Sequence, residues 1–351
     1  MKRILVTGVG GPAGINFVEC LRMVPEKIYI VGTDVNKWHL ELPKVDRRYL
    51  VPKCTEKNYI SKLNELIRKE KIEFVHPQPD IEVKVLSENR ERINATTFLP
   101  NPKTIDICQD KIKTNEVLRK AGVSVPKMAQ IKSEDLDKAF EELAGELKKI
   151  WLRARKGAGS KASLPIEEPK HAKAWIEYWM KKGLTYEDFM ACEFLPGKEF
   201  AFQSIWKDGE LVTSMARQRL EYLFGSLMPS GQSSSPSVAK TIHRDDVNDI
   251  ATKAVLAIDK KASGVFCVDL KENVDGIPCV TEINAGRFFT TSNFFAKIGV
   301  NMPYIYVKLA YEKKVPDLSK YNAAPEGLYW IRSVDRDPIL VKGERWRSKE
   351  I

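Results

Sequence analysis

Residues 264–287, GVFCVDLKENVDGIPCVTEINAGR, place the tightest constraint on how this chain can fold. Two runs with β-branched and apolar content, 265–270 and 277–283, flank Asn273-Val274-Asp275-Gly276. Asp-Gly between such runs predicts a β-hairpin closed by a two-residue type I′ turn. In that register Asp269 faces Glu282 across the ladder, and Cys279 faces Glu272. Side chains alternate faces along a strand, so Asn284 shares the face of Glu282. Opposed carboxylates, with Cβ atoms about 4.5–5.5 Å apart, destabilise a sheet unless something offsets their repulsion. A hard divalent cation such as Mg²⁺ does so, because its ligands are oxygens. The alternative is the solvated outer face of an ordinary hairpin.

At 351 residues the chain is long enough for two or three lobes, each with its own core. It has no run of about eighteen apolar residues, so no membrane span is expected. The opening MKRILVTGVGG breaks into glycines too early for a signal peptide and reads as a buried strand. Six cysteines without C-x-x-C spacing, mostly within apolar runs, read as reduced core thiols of a cytoplasmic protein. Four scattered histidines make no zinc site. The net charge of +10 favours anionic ligands, nucleotides included. No helix-turn-helix, zinc finger or RNA-platform motif accompanies it, so nucleic acid is not an expected partner.

Residues 2–7 form a strand that runs into GVGGPAG and a helix over 15–23, an arrangement that can cradle an anion. A second strand over 28–32 leads to Asp34, where a dinucleotide fold would hold a ribose. Tyr49-x-x-x-Lys53 and Tyr178-x-x-x-Lys182 imitate a dehydrogenase pair, so an NAD enzyme is one reading of the opening. A helix over 57–70 and a strand over 72–76 continue the β-α-β alternation. Pro77-Gln78-Pro79-Asp80-Ile81-Glu82 then stands at a strand's carboxyl end, where open α/β sheets bind ligands. Asp80 as a plain helix cap accounts for it equally well. Residues 98–110 read as a linker, and Asp110 caps a helix over 111–121 that stops at Gly122. Lys111 lies in the first turn, where the helix dipole disfavours a cation, so it is incidental or aimed at an anion.

A charged helix over 133–148 and a strand over 150–154 deliver Arg153 and Arg155 into Lys156-Gly157-Ala158-Gly159-Ser160-Lys161. Such a loop can bind phosphate through backbone N–H groups and cations, although a flexible cationic hairpin tip fits as well. Trp175, Trp179 and Met180, on a helix over 168–182, read as core. In Glu193-Phe194-Leu195-Pro196-Gly197-Lys198-Glu199 an extended backbone can meet an adenine edge, with Glu199 accepting from ribose hydroxyls. Arg217 and Arg219 point the same way from one strand, towards a substrate carboxylate or phosphate or into solvent. The 229–237 run, PSGQSSSPS, reads as a mobile loop over the site. A helix over 245–258, a helical stretch from 287 to 309, a strand over 327–334 and a frayed tail from 342 complete the chain.

In this order the motifs resemble the ATP-grasp superfamily, in its carbamoyl-phosphate-synthase-like branch. The resemblance rests on the glycine-rich first turn, Asp110-Lys111 opening a helix, and Arg153 with its glycine loop. It continues through the Glu193-to-Glu199 hinge to Asp269 with Glu282-Ile283-Asn284 and Arg287, covering the chain to about residue 310. It implies an α/β and α+β architecture: a Rossmann-like pre-ATP-grasp domain over 1–108, then a two-lobed ATP-grasp fold. The small lobe would span 109–190, and the C-terminal lobe with the metal site 191–351. Lys111, Arg153, Arg155, Gly157, Gly159 and Ser160 would contact ATP phosphates. Backbone at Glu193, Phe194 and Leu195 would read adenine, and Glu199 the ribose. Asp269, Glu282 and Asn284 would hold Mg²⁺, or Mn²⁺ in its place. Arg153 and Arg287 would be the catalytic cations facing the transferred phosphoryl group.

The substrate pocket is expected among Gly10, Gly11, Pro12, Asp80, Glu82, Arg217, Arg219 and the 229–237 loop, a set suggesting an amino-acid-like substrate. Three departures from the family pattern stand out. Arg153 occupies a position that is often lysine, the glycine loop is lean, and one extra residue precedes Arg287. The implied activity is an ATP-dependent ligase joining small-molecule carboxylate and amine (or thiol) substrates through an acyl phosphate, releasing ADP and phosphate. The alternatives are a bicarbonate- or carbamate-phosphorylating enzyme and a non-catalytic ATP-binding regulatory module. A homodimer is compatible with all three. The NAD reading accounts for nothing after residue 110.

Overall fold

The computed structural model describes residues 1–351 except 133–135, 158–161, 234, 313–316, 335–348 and 351. Strand β1 (Lys2–Thr7) is buried over its last four residues, as the central strand of a parallel sheet must be. Strands β2 (Ile28–Asp34), β3 (Arg47–Leu50), β4 (Phe74–Pro77) and β5 (Thr96–Thr97) pair parallel around it in the order β3-β2-β1-β4-β5. Helices α1 (Pro12–Arg22), α2 (Tyr59–Lys69) and α3 (Asp80–Glu88) connect them, the doubly wound arrangement expected.

The expected linker contains a helix, α4 (Pro102–Cys108). Asn101 caps it by accepting from the Thr104 N–H, and Pro102 stands in its first turn, a local start signal that the linker reading passed over. Helix α5 (Lys111–Lys120) starts at Asp110, whose carboxylate accepts from the Ile112 and Lys113 N–H groups.

A four-stranded antiparallel sheet follows, built from β6 (Met128–Gln130), β7 (Ile150–Ala154), β8 (Leu164–Ile166) and β9 (Phe189–Glu193) in the order β6-β9-β7-β8. Helices α6 (Leu136–Ala144) and α7 (Pro169–Met180) flank it. Trp175 and Trp179 pack partly buried against its core, but Met180 is exposed at the end of α7, contrary to expectation.

The large antiparallel sheet contains β10 (Glu199–Lys207), β11 (Glu210–Tyr222), β12 (Pro236–Ile242), β13 (Gly264–Glu272), β14 (Pro278–Ala285) and β15 (Tyr329–Ile331). Their order is β14-β13-β10-β11-β12-β15. Helix α8 (Asp245–Ile258) leads into β13, and α9 (Ser292–Lys297) and α10 (Met302–Glu312) follow β14. One apolar cluster joins Ile4 and Phe17 of the first unit to Ile205 and Phe288 of the large-sheet unit, which holds the two together. Of the tail expected to fray from 342, only Lys349 and Glu350 are among the described residues, and they form β16 (Lys349–Glu350), which pairs parallel with β3.

The central hairpin differs from expectation in a telling way. Its loop has three residues, with the Gly276 N–H donating to the Asn273 carbonyl (3.1 Å) and the Asn273 N–H to the Ile277 carbonyl (3.0 Å). Gly276 adopts φ +75, so the loop is a turn plus glycine bulge rather than type I′. Lys271, not Glu272, therefore faces Cys279. An irregularity after Asp269 then gives β14 one extra residue, Thr281, and cancels the slip. Asp269 faces Glu282 after all.

Candidate active site

A cavity of about 480 Å³ opens where the three sheets meet, reached by Gly11 and Asp80 from the first, Arg153 from the second and Asp269 and Glu282 from the third. The hairpin forms its floor. Asp269, Glu282 and Asn284 converge on one face, with the Asn284 amide donating to Asp269 at 3.3 Å. Each of the three is held by an arginine: Arg219 donates to Asp269 (2.5 Å), Arg153 to Glu282 (2.6 Å), and Arg287 to the Asn284 side-chain oxygen Oδ1 (2.5 Å). Burial raises the Asp269 carboxyl above its usual range, with Glu282 adding to the rise and Arg219 opposing it. Burial would also raise Glu282, but Lys111, Arg153 and Arg287 outweigh it and bring it down to about 2.

An all-oxygen set of two carboxylates and an amide carbonyl fits a hard divalent cation that completes its shell with phosphate and water oxygens. Among the described residues no group of three or more His, Cys, Asp or Glu could hold a metal. The fit is therefore to a cation shared with a polyphosphate, not to a full protein cage.

Lys111 is buried, and its Nζ donates to the Gly157 carbonyl (2.8 Å) and lies 3.7 Å from Glu282. Burial pushes its ammonium below the usual lysine range. Arg155, expected at the phosphates, instead grips Asp110 through two nitrogens, at 2.9 and 2.7 Å, and lines neither this cavity nor a second one described below. Alternation alone would put Arg153 and Arg155 on one face, but β7 ends at Ala154, and past its end Arg155 turns to Asp110. Gly157 lines the second cavity, while Gly159 and Ser160 lie outside the described residues.

Phe194, Leu195, Trp151, Met128 and Cys192 wall one end of the main cavity. Glu193 lines it too, but its N–H is already given to the Lys127 carbonyl (3.0 Å), so that amide is no free donor for an adenine edge. Glu199 faces the cavity and accepts from Lys271 (2.6 Å), Gln232 (2.5 Å) and the Tyr222 hydroxyl. The sequence reading missed Lys271, although Asp269 and Lys271 share a face of β13 by alternation.

At the other end stand Gly11, Pro12, Asp80, Arg219 and Arg287, with Gln232 and Ser233 from the 229–237 run. Asp80 is not the cap of α3, which is Pro79; its carboxylate accepts from Arg287. Three expected members of this end are elsewhere. The Gly10 N–H donates to Asp34 (3.0 Å), which is buried and lines neither this cavity nor the second. Glu82 is buried beside Tyr59, and burial pushes its carboxyl up to about 7, with Asp34 adding to the rise and the Thr7 and Tyr59 hydroxyls opposing it. Arg217 is fully buried between Phe289 (4.8 Å) and Phe295 (5.3 Å), its three guanidinium nitrogens without hydrogen-bond partners among the described residues. Neither a solvated face nor a cavity contact describes it. Gln78 was passed over in the sequence, yet it lines the cavity with a buried, unpartnered Nε2 while its Oε1 accepts from the Phe288 N–H (3.2 Å).

A second cavity of about 250 Å³ lies beyond this end and shares Asp80, Glu282 and Asn284 with the first.

Comparison with known proteins agrees with this geometry. The ATP-grasp domain family matches residues 108–292, and the PylC-like N-terminal domain family matches residues 4–98. A carbamoyl-phosphate synthase of Methanobrevibacter smithii is 22% identical over 311 residues, 84% of this chain and 78% of that protein. The L-amino acid ligase of Bacillus licheniformis is similar in structure at 15% identity, with a TM-score of 0.64 over 90% of this chain and 77% of that one. The biotin carboxylase domain dimer of Hydrogenobacter thermophilus 2-oxoglutarate carboxylase, solved with MgADP, ADP and bicarbonate, gives 0.68 at 15% identity, over 93% and 73%. At such identities the structural likenesses speak to fold alone. The family match spans more than half of the chain and its residues include the whole hairpin, so this chain belongs to the ATP-grasp family.

Proposed function

We propose that the chain is an ATP- and Mg²⁺-dependent carboxylate–amine ligase working through an acyl phosphate. The observation that carries this reading is the floor of the main cavity: Asp269, Glu282 and Asn284 on one face, ringed by Lys111, Arg153, Arg219 and Arg287. Those three oxygen donors would hold Mg²⁺ or Mn²⁺, which when bound supplies charge neutralisation at the phosphate oxygens. Phe194, Leu195 and Trp151 would cover the adenine, with Glu199 on the ribose. Lys111 and Arg153 would exchange Glu282 for phosphate oxygens. Arg287 would stabilise charge on the phosphoryl group in flight, the main catalytic demand of this chemistry.

A substrate carboxylate oxygen attacks the γ-phosphorus, and the bond to the β–γ bridging oxygen breaks to release ADP. The amine then attacks the acyl carbon, phosphate leaves and the amine nitrogen gives up a proton. Residues 1–108, 109–190 and 191–351 would act as substrate-facing, phosphate-closing and metal-bearing units. All six cysteines are free and buried, which supports the cytoplasmic compartment expected from the sequence. No helix among the described residues is long and apolar enough to cross a membrane. A homodimer would match the dimer named for the carboxylase domain.

The test is ADP release from MgATP with hydroxylamine and pooled amino acids and small carboxylates. ADP together with a hydroxamate supports the ligase. The likeness to a carbamoyl-phosphate synthase favours one second reading, in which bicarbonate is the phosphorylated acid. ADP release stimulated by bicarbonate, without hydroxamate, would select it. Nucleotide binding without turnover would select the regulatory module.

A further inference from the structure

Arg287, the cation assigned above to the phosphoryl group, is committed elsewhere in the ligand-free chain. Its Nε donates to Asp80 and its Nη2 to the Asn284 side-chain Oδ1. Among the described residues it is Arg287 that pairs with the Asp80 carboxylate. The backbone just before Arg287 brings it there. Gly286 adopts φ +86, and a Cβ there would lie 2.6 Å from Val83 Cγ1 on α3. Val83 and Asp80 are three residues apart and share a face of α3. One close approach of the Gly286 backbone to that face therefore delivers Arg287 to Asp80.

The turn that carries Asp80 is built for more than an arginine. Gln78 lines the main cavity and carries a buried, unpartnered amide nitrogen, and two residues on Asp80 lines it with a carboxylate. A donor and an anion side by side complement a ligand bearing a carboxylate and an ammonium group. Asp80 also belongs to both cavities, so an incoming ammonium can reach it while ATP occupies the main one.

We propose that the acid phosphorylated by this enzyme is an amino acid, whose ammonium group takes Asp80 from Arg287 and thereby releases Arg287 to the phosphoryl group. The inference rests on the ligase reading. Asp80 is a substrate-docking and positioning residue, and the Asp80–Arg287 pair suppresses ATP hydrolysis until the amino acid arrives.

The test compares wild type, Asp80→Asn, Asp80→Glu and Asp80→Asn/Arg287→Ala. MgATP affinity is measured by calorimetry, and ADP release is measured with and without a mixture of the twenty protein amino acids. The wild type should release ADP slowly alone and faster with the mixture. Asp80→Asn should bind MgATP more tightly, release ADP about tenfold faster without amino acid and lose the stimulation. Asp80→Glu should restore slow basal release, and the double variant should lose the gain. Unchanged affinity and basal rate in Asp80→Asn would overturn the latch, as would a double variant that keeps the raised rate. Stimulation of the wild type by acetate or succinate but not by amino acids would overturn the substrate class. A wild type that fails to bind MgATP at all would overturn the ligase reading itself.

Discussion

Asp269 and Glu282 face each other across the β13–β14 ladder, and each takes its counterion from a different strand, Arg219 of β11 and Arg153 of β7. Two like charges at that spacing are tolerated because two guanidinium groups neutralise them. The same cations stand ready for phosphate oxygens once a metal takes the carboxylates.

Glu282→Gln and Asp269→Asn are each expected to lower Mg²⁺-dependent ATP turnover by at least ~10²-fold, the scale of losing one transition-state contact. Far-ultraviolet circular dichroism should be unchanged, since neither substitution alters the ladder. Normal turnover in both variants would remove the metal assignment.

Asp110 joins two tasks, capping α5 and gripping Arg155. Asp110→Ala should lose about 1 kcal/mol through the cap alone. It should also weaken MgATP binding, because Lys111 is the first residue of the helix that the cap anchors. Asp110→Asn keeps an acceptor for the cap and should recover most of the stability but not the Arg155 pair. Thermal melts with calorimetric ATP titrations check both.

Glu82 provides a pH test of a residue moved from site to core. Its carboxyl is raised to about 7 in the fold, from an ordinary value of 4.5. The folded chain thus binds that proton more tightly than the unfolded chain. Stability from this group is fully present below pH 4.5 and is lost as pH rises towards 7. Glu82→Gln should be more stable than wild type at pH 8 by on the order of 3 kcal/mol, with the gap closing near pH 4. Turnover should be unaffected. A turnover loss without the stability crossover would return Glu82 to the substrate site.

Gly286→Ala should destabilise by about 1–3 kcal/mol, since the left-handed conformation and the contact with Val83 both resist a Cβ. The combination with Val83→Ala removes the contact but not the strained φ, and should recover part of the loss. Equal melting temperatures for Gly286→Ala and wild type would show that the loop adapts freely.

The register of the hairpin was legible through an error that cancelled. Asp-Gly suggested a two-residue turn, and the glycine-bulge loop shifted the strands by one position. Thr281 shifted them back before Asp269, so the carboxylates met where period-two alternation placed them. Asp110 and Lys111 were legible because cap chemistry is local, within three residues of the helix start. The α4 helix carried the same kind of local signal and was passed over.

The amino-acid sequence by itself determined the order of elements, the capped start of α5, the face shared by Asp269, Glu282 and Asn284, and the family those features resemble. These follow from alternation, caps and turns, which act over a few residues. Tertiary structure alone decided which cation meets which anion: Arg155 on Asp110, Arg219 on Asp269, Arg287 on Asp80, and Arg217 on no hydrogen-bond partner among the described residues. Those partners are 45, 50 and 207 residues apart in the chain. Such pairing depends on how sheets and helices pack against one another, and no local pattern encodes that distance.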